Sequence, residues 1–379
     1  MPKKIKYPYE YNEKARKIAK LYTRIKIING IISDILSIAV LAIIFYSGAA
    51  YYLAFFAMQL SGAYFLQALV MGFLLTTVLN ICRLPLGFYS GYIIEHRYGL
   101  SNQSFAEWVR DYGKGIFLGY LIFLPIISIV YFLISSFAEW WIYASVFSLA
   151  IYLFLDFIYP VVIFPFFYKT RAYRDMKQIK RLKEMALRAG VKVSRVLVAM
   201  ESEKSKKANA MFAGFGETKR IVLFDTLLES FTPDEIETVV AHELAHYANR
   251  DIYRFFLLEA AKTFVSFYLI YLVLQSAAGD AIPSAGHLSG MPLFMLAFSV
   301  IELFAMPAVN TYSRRRESEA DRFSLEVCQK PDAQISSEKR LADMNLSDDR
   351  PHPAVEFLLY THPAAWRRVK MAEDFRKKK

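Results

Sequence analysis

The chain has 379 residues, of which 55% are hydrophobic, with 31 Phe and 25 Tyr, and it carries a formal net charge of +11. This apolar fraction is high for a soluble globule and is concentrated in long runs, which indicates an integral membrane protein. Lys and Arg flank the apolar runs and no nucleic-acid motif accompanies them, so the charge fits membrane orientation and excludes nucleic acid as the expected partner.

A basic, polar segment (1–30) opens the chain and predicts a cytosolic arm. Six apolar runs of about 20 residues follow, each long enough to cross a bilayer core of roughly 30 Å and contact lipid. They lie near residues 31–51, 63–81, 116–137, 140–167, 255–275 and 291–310. Basic and non-basic loops alternate along these runs, as six spans with both termini in the cytosol require.

The alternation predicts a simple division of the chain after the arm. Four transmembrane helices occupy 31–168, a polar cytosolic region occupies 169–254, two more spans occupy 255–310, and a cytosolic C-terminal region occupies 311–379. The two polar regions would then lie on the same side of the membrane, so that residues from both can meet.

The region after the fourth span predicts mixed helix and strand. An amphipathic helix is expected over 173–189, and short strands over 193–200 and 220–224. Between the strands, residues 209–216 predict an extended piece that ends in a Gly turn. An exposed strand of this kind could pair with an extended peptide, whereas an ordinary hairpin is the alternative.

The strongest motif is His-Glu-x-x-His at His242, Glu243 and His246. Two His residues four apart lie on one face of a helix, so both imidazoles can reach one metal ion. Glu243 is close enough to hold a water at that metal without occupying a coordination position. Residues 232–235 (Thr-Pro-Asp-Glu) predict an N-cap, a Pro at the first helical position and a capping-box Glu, which places the motif on a capped helix.

A catalytic zinc normally has three protein ligands, so one more His, Asp or Glu is expected. Membrane topology disfavours His96 and His287. Glu317 and Asp321 follow the last span on the cytosolic side and, four apart, share one helical face. Glu317 could bind the metal while Asp321 accepts a hydrogen bond from a ligand His. The alternative is a charged helix start with Arg–Glu pairs.

Four charged residues fall inside predicted spans and should face other helices or a water-filled cavity. Glu259 and Lys262 are three apart and can pair with each other. For Asp156 and Glu302, a hydrogen bond between helices and the lining of a cavity both stay open.

Several ordered motifs together resemble a known family. They are residues 95–99 (Glu-His-Arg-Tyr-Gly), 208–210 (Ala-Asn-Ala), 221–228, 242–246, 317–321 and 361–363 (Thr-His-Pro). Over about residues 14–370 the chain resembles the CAAX prenyl endopeptidase type 1 family of intramembrane zinc metalloproteases, with the HtpX-like heat-shock proteases as more distant relatives.

The resemblance implies a role for each matched position. One Zn²⁺ per chain would be bound by His242, His246 and Glu317, with Glu243 as the catalytic base. Asn209, with Ala210, would hold the substrate backbone along an edge strand. His362 and Arg368 would stabilise the oxyanion.

The resemblance also implies the architecture. We expect a predominantly α-helical integral membrane protein with about six transmembrane helices around a chamber and a cytosolic α+β zinc metalloprotease domain of zincin type. The chain departs from eukaryotic members by one missing span and a short loop before the zinc helix. These departures favour a prokaryotic-type protein in the cytoplasmic membrane, with the endoplasmic reticulum as the eukaryotic equivalent.

The predicted function is therefore a membrane-embedded zinc endopeptidase. Its substrate would be a peptide or protein, and a lipidated CAAX-type tail and broader membrane-protein quality control both stay open. A site-2-type intramembrane protease would need an Asp-Gly ligand motif, and no Asp-Gly dipeptide occurs in the chain. A non-enzymatic membrane chaperone would need a lost ligand or base, and all of them are present.

Overall fold

The computed structural model describes residues 5–214 and 219–378 and is mostly helical. The helices in chain order are α1 (Glu13–Tyr46), α2 (Ala49–Leu60), α3 (Tyr64–Arg97), α4 (Phe105–Ser136), α5 (Trp140–Phe167), α6 (Met176–Arg188), α7 (Asp225–Ser230), α8 (Pro233–Ala248), α9 (Asp251–Ala277), α10 (Met291–Cys328), α11 (Pro331–Met344), α12 (Pro353–Leu359) and α13 (Ala365–Lys377). Within these described ranges, α1, α3, α4, α5, α9 and α10 are long and apolar enough to cross a membrane. This confirms the predicted number of spans.

The basic N-terminal segment is not a separate arm ending at residue 30. Helix α1 already begins at Glu13, because the Asn12 side chain accepts hydrogen bonds from the backbone N–H groups two and three residues on. Arg16 is buried, with its Nε 2.5 Å from Asp343 Oδ1. The segment therefore packs against the C-terminal region and continues directly into the first span.

Helix α2 lies where the sequence predicted an uncharged loop. Its 12 residues rise about 18 Å, too short to cross a bilayer core. Ala50, Ala54 and Ala57 form a small-residue face that packs into the bundle. Small side chains at helical spacing carry a weak hydrophobic period, which is why the sequence alone favoured a loop here.

A four-stranded sheet stands at one end of the bundle, with strands β1 (Thr170–Ala172), β2 (Arg195–Ala199), β3 (Ala210–Ala213) and β4 (Arg220–Phe224). The spatial order is β1-β2-β4-β3, in which β2 and β4 are parallel and the other pairs antiparallel. The predicted strands at 193–200 and 220–224 are thus confirmed. Strand β3 is both one arm of a hairpin and an edge strand. The predicted turn residues 215 and 216 lie outside the described ranges.

The sheet and α8 share a core with the amphipathic helix α6. Leu182 and Met185 of α6 pack with Leu223 of β4 and with Val240 and Leu244 of α8. Burying this face of α8 leaves its opposite face, which carries the two His residues, directed toward the ends of the spans.

Three charges inside the spans form one cluster between α9 and α10. Lys262 Nζ lies 2.9 Å from Glu259 Oε2 on its own helix and 3.0 Å from Glu302 Oε2 on α10. The pairing of Glu259 with Lys262 is therefore confirmed, and Glu302 takes part in a contact between helices. Asp156 instead lines a cavity of about 1030 Å³ between α5, α8 and α9.

Candidate metal centre

Helix α8 presents the His-Glu-x-x-His motif from a well-defined start. The Thr232 side chain accepts the Glu235 N–H while Glu235 accepts the Thr232 N–H, and Pro233 takes the first helical position, which confirms the predicted cap. One turn separates His242 from His246, and their ring centroids lie 5.2 Å apart. His242 is buried, and His246 is half-buried at the end of the helix.

Glu317 on α10 meets both histidines. Glu317 Oε2 lies 3.0 Å from His242 Nε2, and Glu317 Oε1 lies 3.4 Å from His246 Nε2. The donor atoms of these three residues lie within 4.8 Å of one another. Helix α10 runs without interruption from its apolar part to Glu317, so a membrane span carries this side chain directly to α8.

The outer nitrogens of both rings are held by carboxylates. Asp321 Oδ1 lies 2.9 Å from His242 Nδ1, where the spacing of Glu317 and Asp321 had suggested such a contact. Asp251 Oδ2 lies 2.9 Å from His246 Nδ1, and sequence reasoning missed this residue. Since each Nδ1 faces a carboxylate, each Nε2 is left to face Glu317, which is the arrangement a shared metal ion requires.

Arg316 and Glu338 were also missed. Arg316 is buried and its Nε lies 2.7 Å from Asp251 Oδ1. Glu338 Oε2 lies 2.7 Å from Arg368 Nη1. The only sequence signal for either was the run of charges around residue 317 and along α11, which is equally typical of a solvated helix face.

Arg368 lies close to the centre, but its guanidinium is already occupied. Its Nε and Nη2 lie 2.8 Å and 2.5 Å from the two oxygens of Asp321, and its Nη1 contacts Glu338. Arg368 Nη2 also lies 3.3 Å from His242 Nδ1. The geometry thus joins Arg368 to the carboxylate beside a metal-ligand candidate, rather than leaving it free for an oxyanion.

A cavity of about 460 Å³, here called the His362 cavity, opens next to His242. His242, Glu243, His362 and Arg368 contribute to its wall. The side chain of His362 is 56% exposed, and its Nε2 lies 3.3 Å from Glu317 Oε2. His362 is therefore the most accessible imidazole at the centre and faces the space a substrate would enter.

The start of the edge strand β3 also reaches this cavity. Asn209 lines it and uses its Oδ1 to accept the Ala210 N–H at 2.8 Å. Ala210 itself is buried and pairs with Leu223, so its side chain is part of the core rather than the cavity wall. Ala208, which precedes Asn209, is held by Asn345: the Asn345 side chain accepts the Ala208 N–H at 3.0 Å and donates to the Ala208 C=O at 3.2 Å.

The electrostatics of the centre favour a cation. Burial alone lowers the pKa of His242, but hydrogen bonds to Asp321 and Glu317 outweigh burial and raise this pKa to about 10. Burial also raises the pKa of the Glu243 carboxyl above its ordinary value. Converging carboxylates that raise a histidine pKa this far create a negative potential, which a divalent cation would satisfy.

The donor set fits zinc. Two imidazole nitrogens and one carboxylate, with the neighbouring Glu243 outside the set, are the ligands of the His₂Glu class of catalytic zinc sites. Nitrogen donors disfavour Ca²⁺ and Mg²⁺, which take oxygen ligands. The residues present therefore fit the metal that the motif predicted.

Comparisons with known proteins cover nearly the whole chain. The sequence profile of peptidase family M48 matches residues 174–376, and the profile of the CAAX prenyl protease N-terminal region, described as five membrane helices, matches residues 1–169. The second range contains α1 to α5, so the short helix α2 completes the set of five.

Individual relatives agree with the profiles. The chain is 29% identical to an uncharacterised metalloprotease, YhfN, of Bacillus subtilis, in an alignment that covers 82% of this chain and 74% of that protein. It is 30% identical to a CAAX prenyl protease 1 homologue of Oryza sativa, in an alignment that covers 79% of this chain and 72% of that protein. The crystal structure of S. mikatae Ste24p superposes with a TM-score of 0.82 at 26% identity, covering 95% of this chain and 88% of that one.

Proposed function

Because the chain belongs to peptidase family M48 and is a membrane-embedded metalloendopeptidase, we propose that it hydrolyses peptide bonds with one zinc ion and with Glu243 as general base. The observation that supports this best is the convergence of His242, His246 and Glu317 from two separate helices. Glu243 lies beside that convergence, on the wall of the His362 cavity.

His242, His246 and Glu317 would hold the zinc. When bound, the zinc would supply Lewis-acid chemistry, making water more acidic and polarising the carbonyl that is attacked. Asp321 and Asp251 would keep both imidazoles turned toward the ion, because each accepts the proton on the far ring nitrogen.

Glu243 would move the proton. It takes a proton from the attacking water and later delivers it to the leaving amine, as a general base and then a general acid. Burial raises the pKa of Glu243, so the proton it accepts is held more firmly than on an exposed carboxylate. This suits a group that must both receive and return a proton.

His362 and Arg368 would play different parts. His362 is exposed to the cavity and can donate a hydrogen bond to the oxyanion as it forms. Arg368 holds Asp321 with two nitrogens, so we assign it the positioning of Asp321 and, through it, of His242. This refines the expectation that both residues contact the oxyanion.

Asn209 would align the substrate. Its strand is an edge of the sheet, and an extended peptide can add to such an edge through main-chain hydrogen bonds. Ala210 would contribute only its backbone, since its side chain is buried. The restraint of Ala208 by Asn345 keeps this part of the edge in place beside Glu243.

The substrate and the sidedness are part of the proposal. Several relatives are named CAAX prenyl proteases, so a prenylated tail is one candidate substrate, and unlipidated membrane proteins are the other. We place both termini and the metal centre on the cytosolic side, because the basic loops all fall on that side of the six spans.

The test compares cleavage in cells with wild-type protein and with Glu243→Gln. New N-termini identified by mass spectrometry should appear with the wild type and vanish with Glu243→Gln, while zinc content stays at one ion per chain. Glu184→Gln, an exposed glutamate of α6, is the matched control and should cleave normally. Unchanged cleavage by Glu243→Gln would refute the assigned base.

A further inference from the structure

The His362 cavity carries an excess of negative charge apart from the metal-ligand candidates. Glu338 on α11 and Asp348 in the turn after it both line the cavity. Arg368 is the cation of the same wall, and it lies between Glu338 and Asp321. One guanidinium therefore serves two carboxylates.

Asp348 has no cation of its own among the residues that the structure describes. In the described part of the chain no Lys or Arg nitrogen lies within 4.0 Å of its carboxylate, which instead accepts the backbone N–H of Arg350 at 3.1 Å. Burial, Asp348 and Glu356 together raise the pKa of Tyr360, another residue of the wall, to about 12. Burial is the largest of these causes, and Asp348 adds to it.

A charged substrate side chain entering this space would meet that potential. A Lys or Arg would supply the positive counter-charge that Asp348 lacks and that Glu338 shares with Asp321. An acidic side chain would bring a further negative charge next to Glu243 and Asp348. For partly solvated charges at close range, each such contact changes affinity by about five- to tenfold.

We propose that the His362 cavity selects substrates by side-chain charge: it accepts a basic or uncharged residue near the scissile bond and rejects an acidic side chain. Glu338 and Asp348 set this preference. The inference rests on the proposed peptidase function and specifies its substrate class.

The experiment uses the zinc-loaded, full-length protein in detergent and a peptide library made by digesting a bacterial proteome. Mass spectrometry of the products gives the residue frequencies on both sides of the cleaved bond. Three synthetic peptides that differ only in Lys, Gln or Glu at the most selective position then give kcat/KM at pH 8. We expect the order Lys, Gln, Glu, with about five- to tenfold between neighbours.

The variants Asp348→Asn and Glu338→Gln should each reduce the Lys-to-Glu ratio about five- to tenfold. Asp348→Lys should reduce this ratio about 25- to 100-fold, to near one, because it removes a negative charge and adds a positive one. Asp332→Asn, on the outer part of α11 and paired with Arg376, is the matched control and should keep the wild-type ratio. Equal kcat/KM of the wild type for the three peptides, or a Lys-to-Glu ratio that Asp348→Lys leaves unchanged, overturns the charge preference but not the peptidase proposal. Failure of the wild type to cleave any peptide overturns the peptidase proposal with it.

Discussion

Replacing Asp251 by Asn tests whether the carboxylate behind His246 sets the strength of metal binding. Asp251 Oδ2 lies 2.9 Å from His246 Nδ1, and its Oδ1 lies 2.7 Å from Arg316 Nε. An amide keeps the shape but removes the charge that raises the basicity of the imidazole. Loss of such an outer contact weakens metal binding about 10- to 100-fold. The zinc Kd should rise by that factor, which corresponds to about 1.4–2.8 kcal/mol.

The substitution also disturbs Arg316, and this effect has to be separated. The Arg316 side chain is 3% exposed, and removing one partner of a buried ion pair costs about 3–5 kcal/mol. Glu319 remains as a second partner, so we expect the low end of that range. Arg316→Met is the matched comparison, because it removes the cation and leaves Asp251 against His246.

The assay is zinc competition against a chelator of known affinity, with thermal unfolding of the same samples. Both variants should lower the unfolding temperature. Asp251→Asn should weaken zinc binding about tenfold or more beyond the effect of Arg316→Met, which loosens the hold on α10 but leaves Asp251 against His246. If both variants destabilise the fold while the zinc Kd of Asp251→Asn stays within about threefold of the parent, Asp251 is a structural ion-pair partner and does not orient His246.

Three further outcomes are expected. His362→Ala should lower kcat about 100- to 1000-fold and leave the zinc Kd unchanged, because His362 is assigned to contact with the oxyanion. Steady-state kinetics and equilibrium zinc binding measure the two quantities, and a raised zinc Kd would show that His362 is a metal ligand instead. Burial raises the pKa of Glu338 to about 7, so its carboxylate is more ionised at pH 8 than at pH 6. The Lys-to-Gln kcat/KM ratio should therefore rise from pH 6 to pH 8 in the wild type and stay flat in Glu338→Gln. Lys262→Met should lower the unfolding temperature more than Lys262→Met combined with Glu302→Gln, because the single change leaves Glu259 and Glu302 without their shared cation.

The parts of the fold that the sequence predicted are those with a local signal. An apolar run of 20 residues is visible without any tertiary information, and so is a capping box before His-Glu-x-x-His. Loop charge then placed residues 242 and 317 on the same side of the membrane, and helical spacing put Asp321 next to Glu317. These arguments needed no knowledge of how the helices pack.

The residues that were missed depend on packing. Asp251 follows a break after α8, where Arg250 adopts a φ of 56°, and only that turn brings its carboxylate back to His246. Glu338 is one of several charges on α11, and nothing in its spacing distinguishes it from a solvated residue. Asp321 and Glu338 together occupy the guanidinium of Arg368, and this contact depends on how α11 and α13 pack against α10.

Helices α9 and α10 are both membrane spans, and charged contacts join them at two positions along their length. At one depth Arg316 of α10 contacts Asp251 of α9, and at the other Lys262 of α9 contacts Glu302 of α10. At 1.5 Å per residue these contacts lie about 16–21 Å apart along the helices. Two contacts so far apart fix the rotation of α10 as well as its distance from α9.

That rotation decides where Glu317 points. Successive residues of a helix are about 100° apart, so a turn of α10 by one position would direct Glu317 away from both Nε2 atoms. The neighbouring Arg316, held by Asp251, prevents that turn, and Asp251 also holds His246. The same carboxylate therefore restrains one histidine of α8 and the helix that carries the third donor, which makes the packing of two membrane spans a determinant of the metal geometry.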